Sequence, residues 1–255
     1  MPSRDHKMTS NVHSEILGCF HDITAEVVYH HIWNVPSNAL LLHLPEPQRT
    51  LSGLQGYRRV RVVANCHIPP PLWMKLHDAS VDWRDYYRKI LKANSCGRIL
   101  SLDNATMLST GVPMPELAFR EETDGDLWAM AFVTAGVEGN ALRVGVDTGR
   151  HHRPIGTINT IVFSSCELTQ AAMAASFITI TEAKVVALED LGIKSTYNPA
   201  LQATGTGTDQ IVVVSGKTAK CTYVSGHTKI GGLMARAVTA ATKEAIAKRR
   251  KALNS

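Results

Sequence analysis

Between Gln202 and Gly216 the chain reads QATGTGTDQIVVVSG, a stretch that sets bare backbone, hydroxyls and a carboxylate beside the start of a strand. Gly205 and Gly207 let main chain approach a ligand with no Cβ in the way. Thr206 and Thr208 add groups that donate or accept hydrogen bonds. Asp209 has the chemistry of a base or of a group that orients a donor. The bland reading, a glycine-rich turn whose threonines satisfy local backbone, weighs equally on composition. It is not a phosphate-binding P-loop, because no Lys-Ser/Thr follows and a strand comes next instead of a helix.

A second candidate is SGHTKIGG, Ser225–Gly232, at the head of the last predicted helix. Helix N-termini present unpaired N–H groups, so His227, Thr228 and Lys229 stand where an oxyanion is readily held. An imidazole also suits proton transfer near neutrality. The competing reading makes Thr228 an N-cap and His227 a surface residue. A third candidate lies in LTQAAMAASFITITEAKVVALEDL. There Met173, Phe177, Ile180, Lys184, Ala187 and Leu191 follow one helical seam, so Lys184 interrupts an apolar stripe. Glu182 has Ile178, Val185 and Val186 as helical neighbours, so it too is expected on an apolar face. A buried charge needs a partner or a shifted pKa; the alternative is that Lys184 snorkels and Glu182 reaches an edge. Finally, TAGVEGNALRVG carries Asn140 and Arg143, which give directional bonds to amide and carboxylate groups. His151 and His152 are adjacent and poorly placed to share one metal, and no metal site is expected.

These residues need elements to hold them. The β-rich runs EVVYHHIW (26–33) and ALLLHL (39–44), split by Pro-Ser-Asn, predict a hairpin. RRVRVVANC predicts a half-buried strand, and DWRDYYRKILKAN a helix capped by Asp82. Strands are predicted at 127–136, 156–165, 210–216 and 219–226, and helices at about 167–191 and 229–251. Strand, strand, helix is thus written twice, with a looser third copy upstream. The fold class expected is α+β, mixed α/β layers in which helices pack on a β-sheet. Residues 1–14 read as a flexible N-terminus and 15–255 as a single domain.

The net charge of +5 invites a nucleic-acid reading, yet four cations sit together at Lys248–Lys251, where a helix dipole favours them. Aromatics are 6% of the chain and none punctuates that run, which argues against nucleic acid. The five cysteines contain no CxxC pair, which argues against a disulfide framework or zinc ribbon. No apolar leader or spanning run is apparent, so a cytoplasmic location and no membrane partner are expected. An exposed sheet edge is one route to a homo-oligomer.

Five stretches, TAGVEGNALRVG, GTINTIVFSSCELT, ITEAKVVALEDLGI, ATGTGTDQIVVVSG and SGHTKIGGLMARAV, resemble those of the adenosylcobinamide amidohydrolases, in the family's order. A weaker likeness runs upstream through VVANCHIPP and DWRDYYRKIL. SGHT is one residue shorter than the family's usual turn, and GVEGNA one longer. The resemblance implies a cytoplasmic hydrolase of corrinoid salvage that cleaves the amide joining aminopropanol to the corrin ring. The product would be adenosylcobyric acid, and no cofactor beyond the cobalt of the substrate would be required. The roles that follow are Asp209 or Glu182 as base, the 205–207 backbone or Thr228 as oxyanion holder, and His227 as acid. Asn140 and Arg143 would grip the ring's amide side groups, with Lys184 and Lys229 also contacting substrate. A variant makes Thr206 or Thr208 an acyl-accepting nucleophile. The rival class is a corrinoid or small-molecule binding protein without catalysis.

Overall fold

The structure, a computed structural model, describes residues 12–78, 81–93, 100–147 and 156–255. Cys96, His151 and His152 lie outside them. The strands are β1 (His13–Phe20), β2 (Ile23–Ile32), β3 (Val35–Ser52), β4 (Gly56–His67), β5 (Ala105–Thr110), β6 (Ala118–Asp124), β7 (Leu127–Ala135), β8 (Ile158–Ser164), β9 (Glu167–Leu168), β10 (Gln210–Val214) and β11 (Lys220–Cys221). The helices are α1 (Pro70–Leu76), α2 (Trp83–Lys92), α3 (Gln170–Asp190) and α4 (Lys229–Leu253). The α+β expectation holds. His13 and Ser14, read from sequence as part of the flexible N-terminus, already belong to β1.

The tight turns between the first strands use left-handed backbone at non-glycine residues. The β2–β3 turn is Trp33–Asn34, with φ of 49° and 63°. Positive φ at both central residues matches the twist of a two-residue hairpin. The Pro-Ser-Asn run expected to form this turn lies inside β3 instead, where Pro36 pairs with His31. The hairpin is correct and its turn begins three residues earlier.

Among the described residues nine strands form one sheet, ordered β1-β2-β3-β10-β8-β7-β6, with β4 on the other flank of β3 and β5 beside β4. β3 is the branch point: its first half pairs with β2, its last residues pair with β10, and both halves pair with β4. A register shift between His43 and Gln48 marks where it bends. The sheet curls so that Leu40, Val63, Phe132, Ile161 and Val212 fill its concave face. The outer face of β2–β5 is covered by α1 and α2 through Leu72, Tyr86 and Ile90. The outer face of β7, β8 and β10 is covered by α3 and α4 through Met173, Ile180 and Leu233. The three sequence units differ in pairing: β7 and β8 are antiparallel neighbours, whereas β11 leaves the main sheet to pair with β9.

The long helices follow their caps. Thr169 accepts from Ala172 N at 3.2 Å and Thr228 from Gly231 N at 3.1 Å, so α3 begins three residues later than expected. Among the described residues α3 alone has the length and apolarity to span a membrane, yet half of that stretch is buried inside the molecule.

Candidate active site at the start of β8 and β10

β8 and β10 run parallel, and Asp209 immediately precedes β10 beside the first residue of β8. Its carboxylate is held from several sides. Oδ1 accepts from Ile158 N at 3.0 Å and from the Thr206 hydroxyl. Thr206 N is shared between both oxygens at 3.2 Å. Lys184 Nζ, reaching in from α3, donates to Oδ2 at 2.6 Å. The lysine and aspartate side chains are only 12% and 14% exposed. The seam of α3 containing Lys184 is therefore a buried seam, and the carboxylate of the 205–209 turn meets the cation of that seam.

The glycines explain how so many groups fit. A Cβ on Gly205 would lie 2.3 Å from Asp209 Oδ2 and 2.8 Å from Lys184 Nζ, so only glycine lets the pair close over this turn. Gly207, at φ +80°, takes the left-handed conformation, and a Cβ there would strike Leu142 at 2.7 Å. Leu142 and Gly205 bridge, with Leu142 N donating to Gly205 O at 2.8 Å. The 136–147 loop is thereby fastened to the 202–209 segment. Asn140 donates to Gly156 O, and Arg143 donates to Gln202 O at 3.3 Å. Thr208 is exposed, its hydroxyl 3.1 Å from that of Thr157.

Other expected members stand elsewhere. Glu182 is exposed, because its neighbours Ile178 and Val186 form the solvent face of α3. α3 is apolar nearly all round, so spacing could not show which stripe is core. His227 and Lys229 are exposed, and Lys229 pairs with Asp124 at 3.2 Å, at the β6–β7 hairpin. That hairpin adjoins the far end of β8, where Ser164 pairs with Ala129. Seven strand residues separate the two ends, about 20 Å at roughly 3.3 Å per residue. Thr228 caps α4 there. The structure thus gathers Asp209, Lys184, Thr206, Thr208, Gly205, Gly207, Asn140 and Arg143, and leaves Glu182, His227, Thr228 and Lys229 outside the cluster.

Sequence reasoning passed over a buried polar network beneath this corner. Asn159 Nδ2 donates to Asn65 Oδ1 at 2.8 Å and to Ser109 O at 2.9 Å, and Asn65 Nδ2 donates to Thr134 Oγ1 at 2.9 Å. Asn159 Oδ1 and Asn140 Oδ1 are buried acceptors without a partner among the described residues. The signal was present: each of Asn65 and Asn159 interrupts an apolar strand.

Two residues beyond Asn65, His67 ends β4. Burial chiefly, with help from the Arg249 guanidinium and His30, pushes its pKa down to about 4. Burial does the same to His30. Both imidazoles bind a proton more readily in the unfolded chain, whose histidines titrate near 6.5. Stability is therefore expected to fall as pH drops from about 6.5 towards about 4. Urea midpoints across that range check this, and His67→Gln should flatten the dependence. Among the described residues no cluster of three or more His, Cys, Asp or Glu is arranged to hold a metal.

An uncharacterized protein of Methanocaldococcus jannaschii, MJ1613, is 37% identical over 232 residues, spanning 84% of this chain and 88% of that one. The crystal structure of the PH0078 protein from Pyrococcus horikoshii OT3 matches over 83% of this chain and 76% of its own, at 14% identity and a TM-score of 0.43. The family model described as adenosylcobinamide amidohydrolase matches residues 22–254, from β2 through the end of α4. With that match running through every element that builds the corner, the chain belongs to the adenosylcobinamide amidohydrolase family, a family of hydrolases.

Proposed function

We propose that this protein hydrolyses the amide joining aminopropanol to the corrin ring of adenosylcobinamide, giving adenosylcobyric acid and free aminopropanol in cytoplasmic corrinoid salvage. The observation that carries the reading is convergence. Stretches around residues 140, 158, 184 and 209, far apart in the chain, meet at one corner around a carboxylate–ammonium pair. Amide hydrolysis needs a proton acceptor for water, a proton donor for the departing nitrogen and donors for the oxyanion. In this reading Asp209 Oδ2, whose undivided partner among the described residues is Lys184, takes the proton from water. Lys184 Nζ, 2.6 Å from that oxygen, delivers a proton to the amine. The main chain at Gly207 and Thr208, exposed at the turn, holds the oxyanion. Water's oxygen ends in the new carboxyl group and the amine leaves with aminopropanol. The corrinoid brings its own cobalt, and no other cofactor is invoked. A Thr206 nucleophile is the weaker variant, since that residue is 2% exposed and its hydroxyl already donates to Asp209.

Incubation with adenosylcobinamide, with and without chelator, followed by mass spectrometry, tests the assignment. Adenosylcobyric acid and aminopropanol should appear in equal amounts. Bound but unchanged adenosylcobinamide would overturn the hydrolase reading in favour of a binding protein.

A further inference from the structure

The turn after Arg143 displays two apolar side chains to solvent while being firmly anchored. Val144 is 73% exposed and Val146 57%. Val144 N donates to Thr204 Oγ1 at 3.0 Å. Asp147 Oδ2 accepts from Arg143 N at 2.6 Å and from the Ser195 hydroxyl at 2.7 Å. Val146 N closes the turn onto Arg143 O at 3.2 Å. Ordering a surface turn costs conformational entropy, and here most of the apolar surface of both valines is left in solvent. Single exposed apolar residues are ordinary, but a rigid pair beside a candidate site marks a contact surface. The position is specific: Thr204, which anchors Val144, directly precedes Gly205, and Leu142 of the same loop seats Gly207.

We propose that Val144 and Val146 form a lip on which the apolar edge of the substrate's ring rests while its amide arm reaches Asp209 and Lys184. This rests on the function proposed above, and it assigns the ring's contact, which that reading leaves open. The lip is continuous with the corner and fixed to it, so a ligand held there lies against both. A macrocycle with methyl-bearing edges complements two valines; a charged or small polar ligand would gain nothing from them.

The test is equilibrium dialysis of dicyanocobinamide against wild type, V144S/V146S and V144L/V146L, with gel filtration of each. Both positions are exposed, so the variants should fold as wild type, which circular dichroism checks. Replacing two apolar contacts by serine should raise Kd about tenfold, and leucine should hold it within about twofold. A serine variant binding as tightly as wild type overturns the lip. So does a wild-type dimer that V144S/V146S dissociates with Kd unchanged, because the valines then serve a second copy of the chain. Failure of wild type itself to bind or cleave a corrinoid would instead overturn the functional reading on which the lip depends.

Discussion

Replacing Asp209 with Asn should cut turnover by about 10²-fold or more and destabilise the fold by about 3 kcal/mol or more. The substitution keeps an acceptor for Ile158 N and Thr206 N but removes the charge facing Lys184. The lysine, 12% exposed, is then left without its counter-ion in a largely buried seam. Breaking such a pair from one side is more damaging than removing both charges. Lys184→Met alone should therefore be destabilising too, whereas D209N/K184M should recover much of the loss in urea unfolding. Activity should not recover, because chemistry needs both groups. If D209N unfolded at the wild-type midpoint, the pair would not be the structural tie described here. If it unfolded early yet turned over at the wild-type rate, Asp209 would be a fastener and not the base.

The second large effect lies away from the site. His43 Nε2 meets Glu26 Oε2 at 2.7 Å, and both side chains are fully buried. By strand alternation they point to the side of Val28 and Leu41, towards the layer of α1 and α2. Glu26→Ala leaves an imidazole in apolar surroundings, and the loss expected is about 1–3 kcal/mol. For a chain of this size that lowers Tm by about 3–10 °C. Calorimetry of Glu26→Ala and Glu26→Gln checks it: Gln keeps a hydrogen-bonding oxygen and should fall between Ala and wild type. A shift below about 2 °C for Glu26→Ala would mean that water or a rearranged neighbour satisfies His43.

Much of this molecule is legible where the physics is local. The caps at Asp82 and Thr228 and the period of the helices placed α2 and α4 to within two residues. The glycine-threonine turn announced a constrained corner, and Lys184, a charge on an apolar seam, announced a partner. What could not be read is which distant groups meet. Nothing in SGHTKIGG shows that it faces the end of β8 opposite to Asp209, because that depends on strand order, set by pairings tens of residues apart. Whether Glu182 faces the core or an edge was equally illegible, since α3 offers apolar neighbours on every side. Asn65 and Asn159 were legible as anomalies, polar residues inside apolar strands, but only the coiling of the sheet brings them to 2.8 Å.

The forked path of β3 bears on how such a chain can be dismantled. One strand supplies backbone partners to β2 and β4 and also to β10, so neither helix-covered flank owns it. Excising the N-terminal portion would strip β10 of a neighbour, and excising the C-terminal portion would bare the end of β3, in each case exposing an edge prone to self-association. The fold is therefore not modular: shuffling, truncation or fusion must respect the whole sheet.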